Sequence, residues 1–132
     1  MTPGSSGCDL MADIHEPLTL RPGERVLVPT GIAIEIPFGY EGQVRPRSGL
    51  ALKKGVTVPN TPGTIDADYR GEIQVVLINL SFCAVTIQRG DRIAQLVFQK
   101  VCPIQWQEVE ALNESLRGEG GFGHTGLSSE NS

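Results

Sequence analysis

Two carboxylates, an aromatic ring and a guanidinium stand close together in the middle of the chain, at Asp66, Asp68, Tyr69 and Arg70. A carboxylate can take a proton from water and so serve as a general base. An exposed aromatic side chain beside it, with free backbone donors and acceptors, would bind a ligand. The same residue types also form aspartate-capped turns, the commoner structure for an isolated Asp-x-Asp. Both interpretations stay open for this segment, residues 65 to 70, which we term the corner.

A strand is predicted to support the corner. Ile73, Val75 and Leu77 alternate with other residues and are expected to share one face. Gly71 permits a positive φ without steric cost, so we predict a β-hairpin whose tip and shoulder are the corner. A second alternating stretch, Ile32 to Ile36, predicts another strand with its isoleucines inward.

A second polar group follows another predicted strand, at Arg45, Arg47, Ser48 and Gly49. A guanidinium offers a planar fork to phosphate oxygens, a hydroxyl adds a donor, and a glycine lets backbone N–H groups approach an anion. The alternative is a salt-bridged surface loop, which Arg-x-Arg alone would favour. We expect Arg45 to be structural.

Further polar positions lie near the end of the strand-rich region. Asp91 and Arg92 stand in a tight turn and are predicted to pair with each other. Gln95 lies among apolar residues, so we predict a buried amide that requires hydrogen-bond partners. Either neighbouring backbone or a ligand would satisfy it.

Composition limits the fold and the partners. The chain has 132 residues, enough for one domain, and its 16 Gly and 9 Pro favour an all-β sandwich or barrel. A net charge of −4 gives no basic surface for duplex nucleic acid. No apolar run approaches the roughly 20 residues of a membrane span. Without a signal-peptide pattern, and with three cysteines outside any metal-binding spacing, we expect a cytoplasmic protein that binds neither nucleic acid nor membranes.

The glycine-rich segment near the C-terminus matches G-x-G-x-x-G at residues 118 to 123. That pattern indicates dinucleotide binding only inside a βαβ unit, and none is predicted here. The sequence also lacks the Walker A pattern. We therefore exclude both of these classes of nucleotide-binding protein.

Five segments, in order along the chain, resemble the signature motifs of the trimeric dUTPase family, the dUTP pyrophosphatases. Together they extend over residues 7 to 126, nearly the whole chain. One such segment would be a weak indication, but five in the family's order are a strong one. The segments are Gly7 to Leu10, Pro46 to Ala51, Gly63 to Ile73, Gly90 to Leu96 and Arg117 to Gly126.

The resemblance implies an all-β subunit, a distorted β-barrel of jelly-roll-like, β-clip type with at most one short helix. It implies a homotrimer with shared active sites, in which residues 1–117 form the catalytic barrel and residues 118–132 a flexible arm that closes a site. The expected reaction is Mg²⁺-dependent hydrolysis of dUTP to dUMP and pyrophosphate, which limits uracil incorporation into DNA and supplies dUMP for dTMP synthesis. Family members usually carry a further strand before the first motif, so we expect a shortened variant or a mis-called start.

The resemblance also assigns roles to residues. Asp66 is the implied general base, and Tyr69 is the residue that excludes a 2′-hydroxyl. Mg²⁺ is carried by the substrate phosphates and water. Asp9 would support it through water, and the alternative for Asp9 is a turn carboxylate. His124 replaces the serine that the family commonly has, but it can still donate a hydrogen bond. The implied substrate-binding residues are Arg47, Ser48, Gly49, Asn60, Thr64, Ile65, Tyr69, Gln95, Arg117, Phe122, Gly123 and His124.

Two alternatives stay open beside this function. A dCTP deaminase-like enzyme would resemble the same fold, and a non-catalytic regulatory protein would keep the nucleotide site without turnover. The corner and the Phe-containing C-terminal segment favour a dUTPase over both.

Overall fold

A computed structural model describes residues 2–123 and 125. The chain divides into two compact units, Met1–Cys102 and Pro103–Ser132. All of the helix and strand elements found in the described residues belong to the first unit. They are β1 (Gly7–Met11), β2 (Leu18–Leu20), β3 (Arg25–Pro29), β4 (Tyr40–Arg45), α1 (Ser48–Lys54), β5 (Val56–Thr57), β6 (Gly63–Ile65), β7 (Gln74–Asn79), β8 (Val85–Ile87) and β9 (Arg92–Lys100).

The strands form three antiparallel sheets. The first has the order β1-β9-β4-β6, the second has the order β3-β7-β5, and the third pairs β2 with β8. Apolar side chains from all three sheets meet in a single core, so the sheets form a distorted, jelly-roll-like β-barrel. The prediction of an all-β fold with at most one short helix is therefore confirmed for the described residues.

The strand after the corner has the predicted alternation, because Ile73, Val75 and Leu77 are each at most 2% exposed. The predicted hairpin, however, is wrong. β6 pairs with β4, whereas β7 pairs with β3 and β5, so the corner crosses from one sheet to another. Its turn is closed by the Tyr69 N–H, which donates to the Asp66 carbonyl at 3.1 Å. Gly71 does not have the expected positive φ.

The predicted strand from Ile32 to Ile36 is also wrong. Ile36 is buried, but Ile32 is 43% exposed. The Ile73 N–H donates to the Ile32 carbonyl at 2.8 Å, just where β7 begins and its register with β3 ends. Beyond that point the chain has turned into the corner, and no strand of the described residues pairs with this segment.

A buried amide fixes the loop after β7. Asn79 is 0% exposed, and its Nδ2 donates to the carbonyls of Leu20 (2.9 Å) and Cys83 (2.8 Å). Its Oδ1 accepts hydrogen bonds from the N–H (2.9 Å) and the hydroxyl (2.7 Å) of Ser81. Both polar ends of the amide are therefore satisfied, as burial requires.

Within the described ranges, no helix has the length and apolar character needed to cross a bilayer.

Candidate active site

A cavity of about 290 Å³ lies against the corner. Leu27 of β3 and Val76 of β7 stand opposite each other in the ladder and form an apolar part of its wall. Pockets that bind small molecules combine such apolar walls with a few polar groups that fix orientation. Five of the residues implied by the family resemblance line this cavity: Asn60, Thr64, Ile65, Asp66 and Tyr69.

Leu27 and Val76 were missed by the sequence reasoning. Leu27 is 53% exposed, although the neighbouring Val28 belongs to the core. Leu27 alone carried no signal, because a single exposed apolar residue is common on protein surfaces; the pairing of Leu27 with Val76 across β3 and β7 makes the apolar wall. Alternation alone, however, does not say which partner covers that face.

The two carboxylates of the corner face different concavities. Asp66 lines the 290 Å³ cavity, whereas Asp68 lines a second concavity of about 540 Å³ together with Arg70. The side chain of Asp66 is exposed and has no hydrogen-bond or ion-pair partner within the described residues. A solvated carboxylate of this kind is available to hold a proton from a bound water.

Arg70 braces the corner from the side of the second concavity. Its Nη1 donates to the Ala67 carbonyl at 2.7 Å, and its Nη2 pairs with the Glu35 carboxylate at 3.2 Å. Both side chains are more than half exposed, so the ion pair adds little stability by itself. The bond to Ala67 instead closes across the turn itself and holds its shape.

Tyr69 lies at the rim of the 290 Å³ cavity and is 47% exposed. Its hydroxyl donates to the Glu72 carbonyl at 2.8 Å. The Glu72 carboxylate in turn accepts the Gly31 N–H at 2.8 Å, which connects this segment to the end of β3. Tyr69 is therefore held at two points, by its backbone N–H in the turn and by its side-chain hydroxyl.

A row of polar side chains crosses the outer face of the first sheet. Asp9 of β1 and Arg45 of β4 are both register partners of Gln95 on β9, and directly opposed residues project from the same face of a sheet. Gln95 is exposed, so the predicted buried amide is wrong. Its neighbours Ala94 and Leu96 take the core side instead.

Asp9 joins two guanidiniums in what we term the guanidinium cluster, Asp9, Arg47 and Arg92. Its Oδ1 lies 3.3 Å from Arg47 Nε and its Oδ2 lies 3.7 Å from Arg92 Nε. Arg47 Nη1 also donates to the Arg92 carbonyl at 3.3 Å. The predicted pairing of Asp91 with Arg92 is wrong, because the Asp91 carboxylate caps its own turn by accepting the Gln88 N–H at 2.8 Å.

Ser48 and Gly49 are the first two residues of α1 and are both exposed. Arg47 immediately precedes them, so the three residues stand at one end of the helix. Arg47, Lys54 and Arg92 also line one concavity of about 360 Å³. The sequence did not indicate that Arg92 lies beside Arg47, because Arg92 was predicted to pair with Asp91 in the turn before β9.

In the second unit, Arg117, Phe122 and Gly123 line a concavity of about 550 Å³. Phe122 is fully exposed. Arg117 folds back so that its Nε donates to the Gly120 carbonyl. His124 lies outside the described residues.

The cavity at the corner and the guanidinium cluster are separate. They share no lining side chain. Val44 and Gly63, which line the cavity, are register partners on the core face of the first sheet, whereas Arg45 projects from its outer face. The sequence-predicted residues of the first unit thus form two groups rather than one.

Comparison with known proteins identifies the protein family to which the chain belongs. The family model for dUTPase matches residues 1–126, and the chain belongs to the dUTPase family. Two relatives carry the name deoxyuridine 5′-triphosphate nucleotidohydrolase. The relative from Fusobacterium nucleatum is 57% identical over 125 residues, which cover 95% of this chain and 86% of the relative. The relative from Rickettsia akari is 55% identical over 126 residues, which cover 96% and 85%.

Solved structures agree with this assignment. A mutant dUTPase of Staphylococcus bacteriophage 80alpha, solved with dUpNHpp, superimposes with a TM-score of 0.87 at 26% identity and covers 96% of this chain and 89% of that chain. A mutant dUTPase from phage phi11 of S. aureus has a TM-score of 0.76 at 24% identity, covering 85% and 88%, and its structure reveals the coordination of a structural Mg(II) ion. The fold is therefore the β-clip, jelly-roll type of these enzymes.

Proposed function

We propose that the chain is a dUTP diphosphatase, which hydrolyses the bond between the α- and β-phosphates of dUTP to give dUMP and pyrophosphate. The observation that carries this proposal is the corner cavity, in which a free carboxylate stands beside an aromatic ring and a polar edge. In the cell this reaction limits uracil incorporation into DNA and supplies dUMP for dTMP synthesis. The free thiols of Cys8, Cys83 and Cys102 support a reducing compartment such as the cytoplasm.

The corner cavity binds the nucleoside part of dUTP. Tyr69 lies flat against the deoxyribose, so that a 2′-hydroxyl would collide with its ring. Asn60 and the backbone at Thr64 and Ile65 hydrogen-bond the uracil edge, and these three residues line the cavity with Tyr69. A site built to bond particular polar groups rejects analogues that leave those groups unpaired.

The triphosphate is bound by the guanidinium cluster and its neighbours. Arg47 is held by Asp9 with its Nε engaged, which leaves most of its donors for phosphate oxygens. Ser48 and Gly49 add a hydroxyl and backbone donors at the start of α1, and Gln95 adds an exposed amide on the same sheet as Asp9. Arg117 is a further phosphate donor, carried by the C-terminal segment.

Asp66 is the general base. It takes a proton from the water that attacks the α-phosphate, and the pyrophosphate leaves with its negative charge stabilised by the phosphate donors. The absence of any partner for this carboxylate in the described residues supports the assignment, because a carboxylate already committed to an ion pair is a weaker base.

Mg²⁺ fits the donor set as an ion that arrives with the substrate. Among residues 2–123 and 125, no three His, Cys, Asp or Glu side chains lie together as a metal-binding group. Near the guanidinium cluster, Asp9 offers one carboxylate that is 33% exposed, and it would hold the ion through water. When bound, Mg²⁺ offsets phosphate charge, and a small hard ion of this kind keeps several of its waters.

The enzyme acts as a homotrimer with shared sites. The separation of the corner cavity from the guanidinium cluster supports this, because a nucleotide needs both groups. Several apolar side chains of the second unit are also more than three-quarters exposed and need a partner surface. They are Ile104, Trp106, Leu112, Leu116 and Phe122. In this proposal, residues 1–117 form the catalytic barrel and residues 118–132 the arm that closes a site; Phe122 stacks on the base, and Gly123 and His124 contact the nucleotide.

Removing the ring of Tyr69 should weaken the preference of the enzyme for deoxyribose over ribose. For Tyr69→Ala, we expect the ratio of kcat/KM for UTP to kcat/KM for dUTP to rise by about tenfold or more, because the steric barrier to the ribose hydroxyl is lost. Steady-state kinetics with both nucleotides measure this ratio. A ratio equal to that of the wild type would give Tyr69 a purely structural role.

A pyrophosphate-release assay across dUTP, dTTP, dCTP and UTP tests the function itself. The proposal requires strong preference for dUTP. Ammonia release from dCTP would instead identify a dCTP deaminase. Nucleotide binding without release of either product would identify a non-catalytic regulatory protein.

A further inference from the structure

We infer that Gly71 sets the position of the Tyr69 ring and is thereby a specificity-determining position of the enzyme. The inference rests on the proposed role of Tyr69 against the sugar. It concerns a residue that touches neither the nucleotide nor the reacting atoms, so Gly71 is a positioning residue.

The ring of Tyr69 occupies the space that a side chain at position 71 would need. A Cβ added to Gly71 would lie 2.5 Å from the Tyr69 hydroxyl oxygen, 2.7 Å from Cζ and 3.1 Å from Cε2. Carbon and oxygen atoms that are not bonded do not approach so closely, since optimal contacts lie near 3.5 Å or beyond. The ring can therefore keep its place only while residue 71 has no side chain.

The backbone gives no competing reason for a glycine. Gly71 does not have a positive φ, so an L-residue can adopt its conformation. Gly71 is also exposed, so a methyl group there would not have to fit a packed core. What remains is the close approach of the Tyr69 ring.

A side chain at position 71 would displace the Tyr69 ring rather than the backbone. The clashing atoms are the outer end of a side chain that is 47% exposed, whereas the Tyr69 backbone is held by its turn to Asp66 at 3.1 Å. A methyl group at position 71 should therefore rotate the ring about its side-chain torsions. That rotation breaks the hydroxyl's bond to the Glu72 carbonyl and opens the rim of the cavity where Tyr69 stands.

The test is the sugar preference of Gly71→Ala. We expect the ratio of kcat/KM for UTP to kcat/KM for dUTP to rise by about tenfold, while the melting temperature and the oligomeric mass stay at wild-type values. Gly4→Ala is the matched control, because a Cβ at Gly4 meets no heavy atom within 4 Å. Its ratio should equal that of the wild type.

A double-mutant cycle shows whether the effect passes through Tyr69. In a Tyr69→Ala background, Gly71→Ala should change the ratio by less than about twofold, because the clashing ring is gone. An equal change in both backgrounds would overturn the inference, and so would an unchanged ratio in the single variant. If Gly71→Ala does not fold by itself, the double variant with Tyr69→Ala should fold, because the clashing ring is gone; a double variant that also fails to fold would overturn the inference. Failure of the proposed function is distinct, because the wild type would then release no pyrophosphate from dUTP.

Discussion

Asp66→Asn is expected to abolish pyrophosphate release from dUTP while nucleotide affinity stays within roughly tenfold of the wild type. The amide keeps the shape of the carboxylate but cannot accept the proton of the attacking water. Because Asp66 has no partner in the described residues, the substitution breaks no ion pair and should leave the fold intact. Turnover is measured by pyrophosphate release, and affinity by calorimetric titration with dUpNHpp.

Asp68→Asn is the matched control. It makes the same chemical change two residues away, on the side chain that faces the other concavity. We expect its kcat to stay within about threefold of the wild type. Near-normal turnover by Asp66→Asn would show that Asp66 is not the base, and equal losses in both variants would point to the charge of the corner rather than to one proton acceptor.

Two inactive variants are expected to restore activity when their chains are mixed. Deletion of residues 118–132 should leave a folded trimer with little activity, because Phe122 and its neighbours are lost from every site. Asp66→Ala should be inactive for lack of the base. If the arm acts on a neighbouring subunit, some sites of a mixed trimer combine an intact Asp66 with an intact arm.

The experiment requires subunits that exchange. The two chains are unfolded and refolded together, native mass spectrometry establishes that mixed trimers have formed, and pyrophosphate release from dUTP is then compared with that of each parent refolded alone. Recovery in the mixture supports a site shared between chains. Mixed trimers no more active than their parents would mean that each chain completes its own site.

Local pattern predicted the strand after the corner and the all-β class, because alternation of Ile73, Val75 and Leu77 is set within the strand itself. Pattern could not predict strand partners. The corner was mistaken for a hairpin since β6 and β7 are neighbours in sequence but pair in different sheets. The stretch from Ile32 to Ile36 alternates as a strand does, yet no described strand lies beside it to complete a ladder.

The same limit applies to the candidate site. The residue types of Arg47 and Asp66 allowed phosphate binding and proton transfer, but only the family resemblance favoured these roles over a salt-bridged loop and an aspartate-capped turn. The pairing of Arg92 with Asp9 depends on β9 lying next to β1, a contact between residues more than eighty positions apart that no local spacing encodes. Gln95 was expected to be buried because its neighbours are apolar, but it is exposed between its register partners Asp9 and Arg45.

The path of the loop after β7 depends on only a few of its side chains. The buried amide of Asn79 and the hydroxyl of Ser81 hold the end of β2 and both sides of the loop, so the side chain of Phe82 contributes little to the loop's path. Phe82 stands there 99% exposed. Position 82 is consequently a place where the residue can change with little effect on folding, and where a fluorophore or an affinity handle can be attached without redesigning the scaffold beneath it.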